Sequence, residues 1–223
     1  MSTLAERLEI VRTSVADAAR DAGRDPSSVT TIVITKFHPA SLVSELVDLG
    51  VRDVGENRHQ EAAAKAAEIA DDRLRWHFVG QLQGNKAAAA VEYATAVHSV
   101  DRASLVSALA KAGRPVDVFL QLNLTDDPGR GGVRPDGLLE LAEQVLSVPT
   151  LTLRGLMAVA PLDEAPRAAF ARVRAASDDL RTLAPQATDL SMGMSGDFRE
   201  AIAEGATHLR IGTAITGNRP ERG

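Results

Sequence analysis

Apolar residues Leu4, Leu8, Val11, Val15 and Ala18 recur at helical spacing and stop at Gly23, which predicts a helix over residues 4–22. The period then changes. "VTTIVITK" (29–36) is rich in β-branched residues and predicts a strand, and "LVSELVDLG" (42–50) predicts a helix closed by Gly50. The alternation repeats along the chain. Strands are expected at "VRDVGEN" (51–57), "LRWHFVG" (74–80), "TAVHSV" (95–100), "VDVFLQLNL" (116–124), "LTLRGLMAVAP" (151–161), "ATDLSMGMS" (187–195) and "THLRIGTAI" (207–215). Helices are expected between them, at 58–70, 84–94, 102–113, 135–147, 164–183 and 197–206.

Eight strands in strict alternation with helices imply a parallel sheet with helical crossovers. Repeats of roughly 25 residues fit a closed (β/α)8 TIM barrel with an extra N-terminal helix, in an α/β class. An open doubly wound sheet is the rival, but no G-x-G-x-x-G follows the first strand. No linker or low-complexity stretch divides the chain, so residues 1–223 are expected to form a single barrel domain.

Composition narrows the function. A chain of 223 residues buries roughly 70–75% of its unfolded surface and needs no staples. It has no cysteine, which excludes disulfides and thiolate metal sites and fits a reducing cytoplasm. A formal charge of −5 and 3% aromatic residues argue against nucleic-acid binding. The N-terminus lacks a signal-peptide core, and no apolar run approaches the ~20 residues of a membrane helix. The five histidines lack metal-ligand spacing, so no metal is expected.

In such a barrel, chemistry belongs to the C-terminal ends of the strands and the loops beyond them. That rule selects Lys36, Glu56, Asn57, His77, Gly80, Ser99, Asp101, Asn123, Met157, Met194, Ser195, Arg210, Gly212 and Thr213. Ser195 and Gly196 precede a helix and Gly212 and Thr213 follow a strand, an arrangement whose free N–H groups can cradle a phosphate dianion. Ordinary capping and a tight turn are the plainer explanation of either pair alone. Barrel closure sets the first strand beside the last, so Lys36 lies next to a phosphate held there. Two roles remain open for it: charge pairing, ranked first on spacing, and imine formation, which needs the neutral amine. Elsewhere, Asp101 is expected to cap the next helix and Lys65 and Lys86 to lie on solvated faces. His38 and His59 are expected at the surface, and His98 and His208 as ordinary strand residues.

The blocks "VITKFHPA", "VGENRHQEAAAKA", "WHFVGQLQGNKA", "VHSVDR", "LRGLMAVAP", "LSMGMSGDFREAI" and "HLRIGTAITGNR" occur in this order. Together they resemble the pyridoxal-phosphate homeostasis protein family (the YggS/PROSC family) over residues 29–219. The pattern departs at Phe37-His38 and in "NRHQE". The resemblance implies a barrel like the N-terminal domain of alanine racemase (fold type III), with pyridoxal 5′-phosphate (PLP) held as an internal aldimine on Lys36. It places the phosphate at Ser195, Gly212 and Thr213, and Arg210 near the pyridine ring. Asn57, His77, Met157 and Met194 would line the pocket. The implied role is intracellular PLP buffering and delivery without clear turnover, by a monomer serving apo PLP-dependent enzymes. An amino-acid racemase and a Schiff-base aldolase or isomerase on a sugar phosphate are the alternatives.

Overall fold

The structure, a computed structural model, describes residues 2–218; Arg219, the last residue of the final block above, lies outside them. Eight parallel strands close into a barrel in sequence order. They are β1 (Thr30–Ile34), β2 (Asp53–Glu56), β3 (Arg75–Phe78), β4 (Ala94–Val100), β5 (Val116–Gln121), β6 (Leu151–Met157), β7 (Asp189–Ser191) and β8 (His208–Ile211). Closure comes from β1 pairing with β8, with Ile32 opposite Arg210 and Val33 opposite Ile211. The helices are α1 (Leu4–Asp21), α2 (Ala40–Asp48), α3 (His59–Ile69), α4 (Ala87–Ala90), α5 (Ala103–Ala112), α6 (Leu138–Leu146), α7 (Pro166–Leu183), α8 (Phe198–Ala203) and α9 (Thr213–Thr216).

Only the four-residue α9 follows β8 among the described residues, and α1 supplies cover on that side. Its Leu4, Leu8, Val11 and Val15 are buried, each side chain stabilising the fold by about 1.5–3 kcal/mol. Thr3 and Glu6 form a reciprocal capping box that satisfies the first orphan N–H groups of α1. Arg7 Nε donates to the Ile215 carbonyl at 2.7 Å, tying α1 to α9.

Strand alternation divides the barrel into two environments. Outward residues such as Val33, Val54, Val97 and Val118 join the large apolar layer under the helices. The inward apolar contribution is small: Ala96, Phe119 and Met157 form their own cluster. Gly55 faces inward against Ile32 and Ile34, where a Cβ would come within 2.5 Å of Ile34 Cδ1, so a larger residue would not fit.

Element ends differ from the sequence expectations. β1 stops at Ile34, so Lys36 sits in the following turn and not on the strand. β5 stops at Gln121 and β6 at Met157, before the proline-bearing end of its block. The helix expected over 84–94 reduces to a 3₁₀ turn at Gly84–Lys86 and the short α4, because β4 begins at Ala94.

Candidate functional site

At the C-terminal mouth, Ile34 ends β1 and the chain turns through Lys36 and Phe37. Phe37 adopts φ +68°, a strained value for a non-glycine residue. A buried clamp holds this turn from behind. Glu56, the last residue of β2, accepts hydrogen bonds from Thr35 Oγ1 at 2.7 Å and Lys65 Nζ at 2.6 Å. Lys65 also donates to the Thr35 carbonyl at 2.9 Å. Lys65 and Glu56 are both buried, which corrects the expectation that Lys65 lies on a solvated face of α3. The Ala-rich helix gave no contrast between faces, and the partner carboxylate is supplied by a different element. His38 is likewise buried rather than at the surface. The ammonium of Lys36 has no ion-pair partner among the described residues; its Nζ lies 5.9 Å from the Phe37 ring centroid.

Gly212 lies against Ile34, where an added Cβ would meet Ile34 Cβ at 3.6 Å, so the β8 end adjoins the turn bearing Lys36. The backbone N–H groups of Ser195, Gly196, Gly212 and Thr213 donate to no protein acceptor among the described residues, and neither do the hydroxyls of Ser195 and Thr213. Nearby, Asp197 Oδ1 accepts from the Met194 N–H at 2.6 Å and closes that loop. Backbone N–H groups left without acceptors at two neighbouring strand ends are of the kind that bind an anion.

Arg210, the third residue of β8, is buried under this cradle. Its Nη1 donates to the Ser191 carbonyl at 2.6 Å and to Ser191 Oγ at 2.8 Å, and its Nη2 donates to the Ala158 carbonyl at 2.8 Å. Burial lowers its pKa to about 10, which leaves it charged at neutral pH. Met157 ends β6 opposite Ser191 and is buried in the inner apolar cluster, while Met194 is exposed at the rim. Asn57 follows β2 and packs against Gly80, where a Cβ would come within 2.1 Å of the Asn57 carbonyl.

His77 does not join this group. It lies in β3 and faces a cavity of about 320 Å³ at the opposite, N-terminal mouth. Its Nε2 bonds Asp53 at 2.9 Å and its Nδ1 bonds His98 Nε2 at 2.9 Å. The expected pocket position is corrected by depth along the strand: His77 points inward but lies among the residues lining the N-terminal cavity. Asn123 also turns away, its amide holding the loop at Thr125 and Asp127. Asp101 does not cap α5, since it accepts from Arg102 at 2.5 Å and from the Gly132 N–H. Ser99 is fully buried, its hydroxyl without a partner among the described residues. Sequence reading missed Ser191 and the inward role of His98, which stacks on Phe119 with ring centroids 4.2 Å apart.

Among the described residues this end of the barrel carries an amine without an ion-pair partner, backbone N–H groups without protein acceptors, and a buried guanidinium. A phosphorylated aldehyde with an aromatic nitrogen fits the chemistry of that set: an imine-forming group for Lys36, a dianion for the cradle, an acceptor for Arg210. Among the described residues no helix is long and apolar enough to cross a membrane.

Comparisons agree with this fit. Residues 19–220 match the model of the alanine racemase N-terminal domain. The pyridoxal phosphate homeostasis protein of Pseudomonas aeruginosa is 45% identical, over 98% of this chain and 97% of its own. That of Escherichia coli K12 is 38% identical, over 98% of each. PipY of Synechococcus elongatus, a structure with PLP bound, superposes with a TM-score of 0.85 at 39% identity, over 96% of this chain and all of its own. Alanine racemase from Corynebacterium glutamicum, at 15% identity and a TM-score of 0.73, shares the fold. The barrel and its extended sequence similarity thus have one common explanation: the chain belongs to the pyridoxal phosphate homeostasis protein family, built on the alanine racemase N-terminal domain.

Proposed function

We propose that this chain binds PLP at the C-terminal mouth of its barrel and acts in PLP homeostasis. The observation that carries this reading is that the β8 end at Gly212 packs against Ile34 of the Lys36 turn, while among the described residues the Lys36 amine has no ion-pair partner and the N–H groups of Ser195, Gly196, Gly212 and Thr213 have no protein acceptor. When bound, PLP supplies an aldehyde that condenses with an amine and a ring that can withdraw electrons. The chain's residues then have separate tasks. Lys36 is the covalent anchor. Ser195, Gly212 and Thr213 would hold the phosphate, and Arg210 would donate to the ring nitrogen. Asn57, Met157 and Met194 border the ring.

A guanidinium at the ring nitrogen leaves that nitrogen unprotonated, which weakens electron withdrawal and disfavours transamination. Racemisation needs a second proton-transfer group opposite the anchor lysine. The only tyrosine, Tyr93, instead packs edge-on against Trp76 and lies 3.5 Å from His59 Nδ1, outside the barrel, and burial raises its pKa. A holder of cofactor fits these residues better than a racemase or a sugar-phosphate aldolase. The same reading takes residues 1–223 as one domain, a cytoplasmic monomer that gives PLP to apo-enzymes.

Reconstitution tests it. The protein mixed with PLP should develop a visible absorbance band, pass PLP to an apo-enzyme, and show no sustained racemisation of free amino acids. Sustained turnover that depends on Lys36 would overturn the holder reading.

A further inference from the structure

The interior of the barrel carries a continuous hydrogen-bonded chain that the cofactor chemistry does not itself require. Asp53, the first residue of β2, bonds His77 on β3; His77 bonds His98 on β4; His98 Nδ1 bonds Ser191 Oγ on β7 at 2.8 Å; and Ser191 Oγ accepts from Arg210 on β8. Asp53, His77, His98, Ser191 and Arg210 are all buried. The chain crosses from the N-terminal mouth, where Asp53 also binds Arg75 through both carboxylate oxygens at 2.7 and 2.6 Å, to the guanidinium under the cradle.

With both imidazoles neutral, the two ends dictate its direction. An ionised carboxylate only accepts and a guanidinium only donates. Asp53 is ionised: burial raises its pKa, but hydrogen bonds from His77 and Arg75, with the Arg75 charge, outweigh that and hold it at about 2. His77 must therefore donate from Nε2, leaving Nδ1 to accept from His98 Nε2. His98 Nδ1 is then bare and accepts the Ser191 hydroxyl proton, which frees the serine oxygen to accept from Arg210. Every proton has one place, with both imidazoles neutral. Burial, with the charge of Arg210 beside it, pushes His98 well below its ordinary pKa, in keeping with a neutral ring.

We propose that Asp53, His77, His98 and Ser191 are positioning residues that orient Arg210 through one fixed set of imidazole tautomers, making the N-terminal mouth part of the cofactor site. Ser191 holds Nη1 with both its carbonyl and its hydroxyl, and the hydroxyl is oriented only because His98 takes its proton. Nη2 is fixed on Ala158. The guanidinium is left with one rotational setting, and its remaining N–H groups have no acceptor among the described residues. This inference rests on the PLP reading for what Arg210 faces, but the hydrogen-bonded chain itself does not.

The test has two arms. In the cofactor-free protein labelled with 15N-histidine, nuclear magnetic resonance at neutral pH should find His77 and His98 neutral, with protons on Nε2 and bare Nδ1. A proton on either Nδ1, or a charged ring, overturns the chain whatever binds at the other mouth. In PLP-loaded protein, Ser191→Ala and His77→Leu each cut the chain on a different side of His98. Both should shift the visible band of the bound cofactor while borohydride still fixes it to Lys36. Ser177→Ala, a buried serine on α7, should not shift it. Cut variants that match Ser177→Ala would overturn the positioning role. If neither cut variant folds, the wild-type imidazole spectra decide. Failure to trap cofactor on Lys36 in the wild type would count against the PLP reading alone, because the first arm involves no PLP.

Discussion

The two mouths of the barrel treat polar groups in opposite ways. At the N-terminal mouth charges are matched within the protein: Asp53 with Arg75 at 2.6 Å, and Asp189 with Arg154 at 2.9 Å. At the C-terminal mouth Lys36 and the donors of Ser195, Gly196, Gly212 and Thr213 have no protein partners among the described residues. Paired groups hold a structure together, whereas convergent unpaired donors of one sign describe the shape and charge of something else. The contrast supports the proposed anion site at the C-terminal end, and the chain from Asp53 to Arg210 shows that the two ends are nevertheless physically joined.

The largest expected effect breaks the open mouth outright. Lys36→Ala should abolish the borohydride-reducible link between PLP and the protein, read by loss of fluorescence or mass of the reduced adduct. Next comes the clamp behind it. Lys65→Met leaves the Glu56 carboxylate buried and unpaired, which should destabilise the fold by about 3–5 kcal/mol in urea denaturation. Lys65→Met combined with Glu56→Leu should recover a large part of that loss, because no buried charge is then left alone.

Acid should act on the paired, histidine-rich interior rather than the open mouth. Burial lowers His208 from 6.5 to about 4 and pushes His98 well below 6.5. Below pH about 6.5 the unfolded chain takes up protons that the native state excludes, so stability should fall as pH drops from about 6.5 towards 4. Asp53, held at about 2 against an ordinary 3.8, should add a further loss below pH about 4. Urea midpoints measured across this range check both windows; a flat profile above pH 4 would contradict the neutral buried histidines.

Smaller effects sharpen the comparison. Ser195→Ala and Thr213→Val should each weaken PLP binding about tenfold, the worth of one hydrogen bond to a charged group. Fluorescence titration reads this directly, with thermal stability unchanged. At the other mouth Arg75→Ala removes a half-exposed guanidinium from a buried carboxylate, so it should cost more than the ~0.2–1 kcal/mol of a surface pair and less than Lys65→Met.

Much of this fold was legible in the sequence because each strand carries its own local signal. The β-branched run before Lys36 marks β1, and alternation with helices implies parallel closure. Ser195, Gly212 and Thr213 were legible as candidates because barrel topology alone brings the last two strand ends together. The interior chain was not: His98 and Ser191 are 93 residues apart, and nothing local to either predicts that their side chains meet. Lys65 was misread because alanine neighbours do not distinguish the buried side of α3 from the exposed one. His77 was found at the right strand and assigned to the wrong mouth, an error of depth along the strand.

The most direct test of the central claim is the site of covalent attachment. The chain has four lysines, Lys36, Lys65, Lys86 and Lys111. After saturation with PLP, borohydride reduction and proteolysis, peptide mapping should find a single stoichiometric pyridoxyl adduct, on Lys36. A stoichiometric adduct on Lys86 or Lys111 with Lys36 unmodified, or none on any lysine, would contradict the assignment of the C-terminal mouth as the cofactor site.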